Sequence, residues 1–588
     1  MQRVGRIISK RSVFALLGVA AVVAACAPPK EPPPPPAIPP IPVPCDGTQG
    51  APQAGNDPLR TGWYPNQPGL NPNAGGQCTF GEQWTSPVFG QVYARPVVDP
   101  GVGSNGTLVV ATESNVIYGM DAASGAQIWS RALGTPWNSS DIGCTDVGQT
   151  VGVTSTPAID TATHTAYMTE KTYDNTGAIY RAHAIDIATG QEKQNFPVKI
   201  QGSASNAPLV GFDAANELQR PGLLLMNGVL YAAFGGLCDT PPYRGWVVGV
   251  NGSTGAITTR WTDVTTFPDP NPPVTGRPGG GIWQTGGHLV VDNGDILLSS
   301  GNGDVPPVPT PGTAAATNGG LGESVVRLHV LPTGDLQATD FWTPCNAEQL
   351  SNDDLDLGSG APVLLPGAFG SNLLLVIGKA APLYLLNKNA LGGYKQGGAG
   401  SCPDGSGQPG DDIVSRFDPG GGFGAWATPA VWPGNGGYFY LPYQPFLSDP
   451  KFTAYRVGTP GGTPTVELAG KSNDDAYGFG SSSAIVTSTG ATSGTALVWI
   501  VRLPGGDGVG AELRAYDPVP VNGVLTPRGR YPVGTGTKFN TPTVFNGHMY
   551  VGAQDGLVHA FGALPQGTAA QLAPPPRAAT TQVPDKGE

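Results

Sequence analysis

Three carboxylates crowd one short stretch of this chain: Asp353, Asp354 and Asp356 fall within TPCNAEQLSNDDLDLGSGAPVLL (343–365). Oxygen donors at that density either hold a hard cation such as calcium or form a solvated acidic turn. Other reactive side chains are more dispersed. Of the seven cysteines, Cys26 ends an N-terminal apolar stretch; Cys45, Cys78, Cys144, Cys238, Cys345 and Cys402 remain. That even set allows up to three disulfides in an exported chain, with the pairing open. No CxxC or CxxCH spacing occurs, and the six histidines form no pair at ligand spacing, so neither zinc nor covalent haem is expected. Gly505-Gly506-Asp507-Gly508 reads as a turn and not a phosphate loop, because no helix pattern follows it. Gly480-Ser481-Ser482-Ser483 lacks the strand–elbow–helix context of a hydrolase nucleophile.

The elements that position these groups belong to an exported chain. Its net charge is −12, only 13% of residues are charged, and no Lys/Arg run follows residue 11. Nucleic acid, which needs a clustered basic surface, is not an expected partner. Arg3, Arg6, Lys10 and Arg11 precede an uncharged stretch from Val13 to Ala25, short for a membrane span. Its end, Val23-Ala24-Ala25-Cys26, resembles a bacterial lipobox. The resemblance implies a signal peptide over 1–25, lipidation at Cys26 and a membrane partner through that anchor. Ala27 is not the acidic residue that retains lipoproteins in an inner membrane, which points to the outer membrane of the cell envelope. The proline-rich run from Pro28 to Pro44 reads as a stiff spacer at about 3.1 Å per residue, within a linker over 26–58. The Ala/Pro/Gln-rich tail over 566–588 reads as disordered.

Between linker and tail, over 59–565, one unit recurs. TLVVATESNVIYGMDAASGAQIW (107–129) reads as strand, tight turn, strand, polar turn and a Trp-ended strand. Weaker copies follow at 166–192, 229–257, 295–335, 373–393, 438–457, 496–518 and 548–562, giving eight units with room for four strands each. A small or polar residue before proline opens several of them, at Thr156-Pro157, Ala361-Pro362, Thr428-Pro429 and Thr541-Pro542. One such sheet cannot cover both of its faces, whereas a radial ring covers them all. The expected fold is therefore all-β: an eight-bladed β-propeller of four-stranded antiparallel blades. The last unit is short, so N- and C-terminal strands should close the ring, with Trp84 to Tyr93 lying beside 541–562.

The Asp-x-x-x-Gly-x-x-x-Trp turn at 121–129 resembles the pyrroloquinoline-quinone (PQQ) repeat, and the resemblance extends over roughly 85–562. Several segments also resemble the active-site stretches of quinoprotein dehydrogenases, in which Ca²⁺ polarises a bound quinone. SSGNGD (299–304) places Asn302 at a metal-ligand position, and FGGLCDTPPYRG (234–245) offers Asp239 as the second ligand. DLDLGSGAPVLL places Asp356 as the catalytic base, with Asp354 close by, and VIGKAAPLYLLNK (376–388) places Lys379 as the cationic contact. Trp283 and Trp426 would flank the planar cofactor. Cys144-Thr145-Asp146 stands where the dehydrogenases carry a vicinal disulfide ring, and Asp239 replaces their longer Glu ligand.

Each of these residues also has a plainer reading. Asn302 would serve as a turn residue, Lys379 as an ion-pair partner, and the two tryptophans as blade packing. Cys144 and Cys238 would join across the central mouth as a structural disulfide. Two functions follow. One is a lipid-anchored, non-catalytic envelope module that binds or scaffolds a protein partner. The other is a PQQ- and Ca²⁺-dependent dehydrogenase of an alcohol or sugar. Convergence of Asp239, Asn302, Asp356 and Lys379 at the mouth separates the two.

Overall fold

The computed structural model describes residues 41–43, 60–72, 78–265, 279–307, 311–312, 320–395, 413–420, 424–444 and 449–565. Cys26, the signal peptide expected over 1–25 and the tail over 566–588 lie outside them. Asn-Gly turns set the local geometry. Asn227-Gly228, Asn293-Gly294 and Asn546-Gly547 each take two successive positive φ angles and join the first long hairpin of their blades. That turn matches the right-handed twist of the strands it connects.

Eight blade sheets result, their main strands lying within 97–132, 158–200, 217–262, 290–343, 363–417, 430–472, 485–535 and 543–565, and Trp137–Asn138 pairs with Thr150–Val151 as a separate two-stranded sheet. Strands mostly neighbour one another in chain order and run antiparallel, as expected for propeller blades. The expectation of four strands per blade is exceeded in several sheets. Trp63–Tyr64, Gly393–Tyr394 and Val524–Leu525 each add a parallel fifth strand. Trp63–Tyr64 precedes the repeats, and the other two lie in the connection before the last strand of the next blade; each satisfies an otherwise open blade edge. Ala347–Asn352 is the one α-helix among the described residues.

Packing between sheets, not within them, holds the ring. Eight apolar clusters each lie between two consecutive blades. Ala111 and Ile117 of the first sheet meet Ala166 and Met168 of the second, and so on around. Closure is visible on both sides of the last blade, where Phe561 and Met549 pack with Trp499 and Leu513, and Tyr550 and Val558 pack with Leu108 and Val110. Full burial of each such Leu, Val, Met or Phe side chain contributes roughly 1.5–3 kcal/mol relative to exposure. The closing strand is Cys78–Pro87, paired antiparallel with Leu557–Pro565 through Trp84 and Ala560. It begins earlier than the expected segment. Val88 and Val92 continue alongside the last blade through hydrogen bonds to Gly556 (2.8 Å) and Ala553 (3.1 Å). Pro42–Val43, from the proline-rich segment, adds an edge strand on Cys78 and Thr79.

Residues just before the innermost strands of successive blades touch one another. Arg95 N–H donates to Thr156 Oγ1 (3.3 Å), Ala361 N–H to Thr428 Oγ1 (3.3 Å), and Thr428 N–H to Ser483 Oγ (2.9 Å). The residue-before-proline signature thus marks a ring around the axis.

Candidate functional site

On one face of the ring, loops that follow a blade's second strand meet loops that precede the next blade's first. The turn at 301–303 follows Asp295–Ser299, and Lys379 follows Leu373–Ile377. Asp354 and Asp356 lie just after the helix Ala347–Asn352. That helix is itself clamped to the turn, since Ser351 Oγ accepts from Gly303 N–H at 2.9 Å.

The side chains interlock. Asn302 N–H donates to Asp356 Oδ1 (2.7 Å), and Asn302 Nδ2 donates to Asp354 Oδ1 (2.8 Å). The Lys379 ammonium sits 2.5 Å from Asp356 Oδ2 and 2.5 Å from Asp354 Oδ1. It also lies 5.4 Å from the centre of the Trp283 ring, a cation–π distance. Asp356 reaches the turn because position 301 is glycine: a Cβ there would stand 2.1 Å from Asp356 Oδ1 and 3.2 Å from Trp283 Nε1.

Asp239 joins through Tyr243, which hydrogen-bonds its carboxylate and reaches the Asn302 carbonyl at 3.4 Å. Burial, and then the negative charge of Asp356, push the Asp239 carboxyl up to about 6. Burial opposes the Lys379 charge, but Asp356 and Asp354 outweigh it and hold the ammonium above its ordinary value. One loop thus carries a carboxylate pressed towards neutrality by a neighbour, an arrangement that a bound cation relieves.

The disulfide Cys144–Cys238 spans two blades, with Cα atoms 6.0 Å apart, and ends directly before Asp239. Both Cys238 and Asp239 take positive φ (53° and 47°), so the cross-link fixes a loop conformation that L-residues adopt reluctantly. Cys78 and Cys345 are disulfide-bonded as well. Trp426 packs edge-on against Phe479 at 5.5 Å, and its loop is tied to the Lys379 loop by Gly424 N–H donating to the Lys379 carbonyl (2.6 Å).

Asp239, Asn302, Asp356, Lys379 and Trp283 therefore come together, with Cys144 linked to the same loop. Sequence reading missed Glu323. It is fully buried, accepts from Leu357 N–H at 2.6 Å and lies in the field of Asp356. Burial first, and then Asp356, raise its carboxyl well above the ordinary range. A lone Glu in the apolar, glycine-rich run GGLGESVV (319–326) was the available signal.

Two oxygens at the site, Asn302 Oδ1 and Glu323 Oε1, are buried without a hydrogen-bond partner. An orphaned amide oxygen beside a raised carboxyl fits a hard cation. Among the described residues no group of three or more His, Cys, Asp or Glu is arranged to hold a metal. A cation here would therefore draw on Asn302 Oδ1, on Asp239 and on oxygens of a bound molecule.

No family model matches the chain, and no curated protein sequence is similar to it. Solved structures are similar. The quinohemoprotein alcohol dehydrogenase of Comamonas testosteroni is 17% identical with a TM-score of 0.56, over 88% of this chain and 80% of that one. A quinohemoprotein alcohol dehydrogenase of Pseudomonas putida HK5 is 14% identical with a TM-score of 0.56, over 91% and 82%. A europium-containing methanol dehydrogenase is 14% identical with a TM-score of 0.54, over 88% and 98%. At these identities the likeness concerns the fold. A ring of eight blades, a nearly all-β chain and this likeness make the protein an eight-bladed β-propeller, the fold it shares with these structures.

Proposed function

We propose that the mouth of the propeller binds a planar quinone cofactor together with calcium and oxidises an alcohol or sugar. The observation that carries this reading is the convergence of Asp239, Asn302, Asp356 and Lys379 from separate loops, with the Trp283 ring beside them. Asn302 Oδ1 and Asp239 would hold the cation. Lys379 would contact quinone oxygens, and Trp283 would offer its ring face, with Trp426 on the adjoining loop. The quinone, when bound, supplies a two-electron acceptor for hydrogen leaving the substrate carbon. Asp356 is set to take the hydroxyl proton, because its carboxylate is oriented by Asn302 N–H at Oδ1 and by Lys379 at Oδ2. Gly301 keeps that carboxylate close, and the Cys144–Cys238 disulfide fixes the Asp239 loop. Electrons would pass on to a separate carrier.

A second reading, a lipid-anchored envelope module that binds a protein partner, is favoured by one observation. Lys379 already pairs with both Asp354 and Asp356, so this part of the cluster is satisfied by its own residues. Under either reading Cys26 would anchor the chain in the envelope. No helix among the described residues is long and apolar enough to cross a membrane.

The deciding experiment incubates purified protein with PQQ and Ca²⁺ and follows reduction of an artificial dye across a panel of alcohols and aldoses. Turnover that needs both additions, and that Asp356→Asn abolishes, supports the dehydrogenase. No dye reduction with any member of the panel leaves the partner-binding reading.

A further inference from the structure

The residues around the axis pose a separate question, one layer in from the mouth cluster. Arg95, Thr156, Arg220 and Thr541 each directly precede the proline that opens an inner strand, and they line a central channel with Arg60 and His288. No acidic residue is among the described residues that line it. Three guanidinium groups thus face one gap in a chain whose net charge is −12.

Buried cations are normally paired, because removing a charge from water costs several kcal/mol of effective free energy. Arg95 and Arg220 are only 8% and 7% exposed, and neither meets a carboxylate at ion-pair distance among the described residues. Arg95 donates through Nε to Thr543 Oγ1 (2.9 Å) and through Nη2 to the Tyr64 hydroxyl. Arg220 donates through Nη2 to the Lys538 carbonyl (3.0 Å), and its guanidinium lies 5.5 Å from the Tyr93 ring centre and 5.8 Å from that of Phe539. Nη1 of Arg95, and Nε and Nη1 of Arg220, keep donor capacity that these partners do not use. The carboxylates whose charge acts on Arg220 are Glu113 and Asp146. Glu113 is committed to Gly152 N–H (2.7 Å) and the Thr154 hydroxyl (3.0 Å), and Asp146 to Lys538 (2.6 Å). His288 adds no further positive charge: burial, and then Arg60 and Arg95, hold its imidazole well below its ordinary value.

We infer that the axial channel is a binding site for a small oxyanion, phosphate or carboxylate in chemistry, held by Arg95 and Arg220 with hydroxyls of Thr156 and Thr541. Forked guanidinium donors and hydroxyls arranged around a gap without carboxylates match the acceptor-only oxygens of such an ion. The inference is independent of cofactor binding at the mouth, because none of Asp239, Asn302, Asp356 or Lys379 lines the channel.

The test uses the full chain without quinone or calcium. Inorganic phosphate, and separately succinate, are titrated calorimetrically at constant ionic strength; tungstate-soaked crystals locate the ion by anomalous scattering. Saturable binding of either anion is expected, weakened at least tenfold by Arg220→Gln, less by Arg220→Lys, and unchanged by Arg456→Gln on the surface. A stronger response to phosphate or to succinate assigns the headgroup. If Arg220→Gln does not fold, the Arg220→Lys affinity and the anomalous position decide. No saturable heat with either anion, equal affinity in the Arg220 variants, or anomalous density only outside the channel overturns the inference.

Discussion

Replacing Lys379 by Met isolates what its ammonium does for the mouth. That side chain is 12% exposed and Asp356 is 4% exposed, with 2.5 Å between them, so the pair is effectively buried. Met fills much of the same volume but leaves the Asp356 carboxylate without its counter-charge, close to Asp239 and Glu323. Breaking one side of a buried pair costs about 3–5 kcal/mol. Asp354 is 64% exposed, so Asp354→Asn should cost no more than ~1 kcal/mol. For a cooperative ring of roughly 500 residues, at ~2.1 cal/mol/K of unfolding entropy per residue, the larger figure lowers the midpoint by only about 3–5 °C. Denaturant titration is therefore the better assay. The double variant Lys379→Met/Asp356→Asn should recover part of the loss, with a coupling of roughly 1–3 kcal/mol. Losses that add within about 0.5 kcal/mol, or a Lys379→Met cost below ~1 kcal/mol, would show that the pair is not the buried unit described here.

Gly301→Ala puts a methyl group 2.1 Å from Asp356 Oδ1, so it should displace that carboxylate and cut any dye-linked turnover at least a hundredfold, measured as kcat/KM. Asp239 titrates near pH 6, so calcium retention, read by equilibrium dialysis, should fall as pH drops through 6, and Asp239→Asn should remove that dependence. The stability sign is opposite. The folded value lies above the unfolded ~3.9, so protonation favours the fold, and this group's contribution grows as pH falls from about 7 towards 4. Opening the Cys144–Cys238 bridge as the double serine variant releases a 94-residue separation and should cost roughly 2–5 kcal/mol in denaturant melts.

The blades were legible because a propeller repeats its local rules. Asn-Gly turns, residue-before-proline strand openings and alternating apolar runs recur where each sheet must turn, start and bury a face. Ring closure was legible from the short last unit, but the closing strand's start at Cys78 was missed, although the turn-type run Asn73-Ala74-Gly75-Gly76 nearly abuts it in the sequence. The parallel fifth strands arise from irregular connections whose only cue is an open sheet edge, which depends on the folded neighbours. At the mouth, SSGNGD and DLDLGSG pointed to Asn302 and Asp356 through resemblance, and the structure places them 2.7 Å apart, N–H to Oδ1. Glu323 escaped because its neighbours in sequence describe only a strand start, while its partner, Leu357 N–H, comes from the next blade's approach loop. The axial arginines escaped for a related reason. Each sits in a different repeat, and only the closed ring brings them to one channel.

If the mouth holds a quinone and a calcium ion, both should be retained in fixed proportion to the chain. Purified chain is dialysed against PQQ and Ca²⁺, then assayed for retained quinone by absorbance and for calcium by atomic emission, beside Asn302→Ala. Close to one quinone and one calcium per chain are expected, both lost in the variant with an unchanged melting profile. Neither ligand retained by the wild-type chain, or equal retention by Asn302→Ala, would contradict cofactor binding at the mouth.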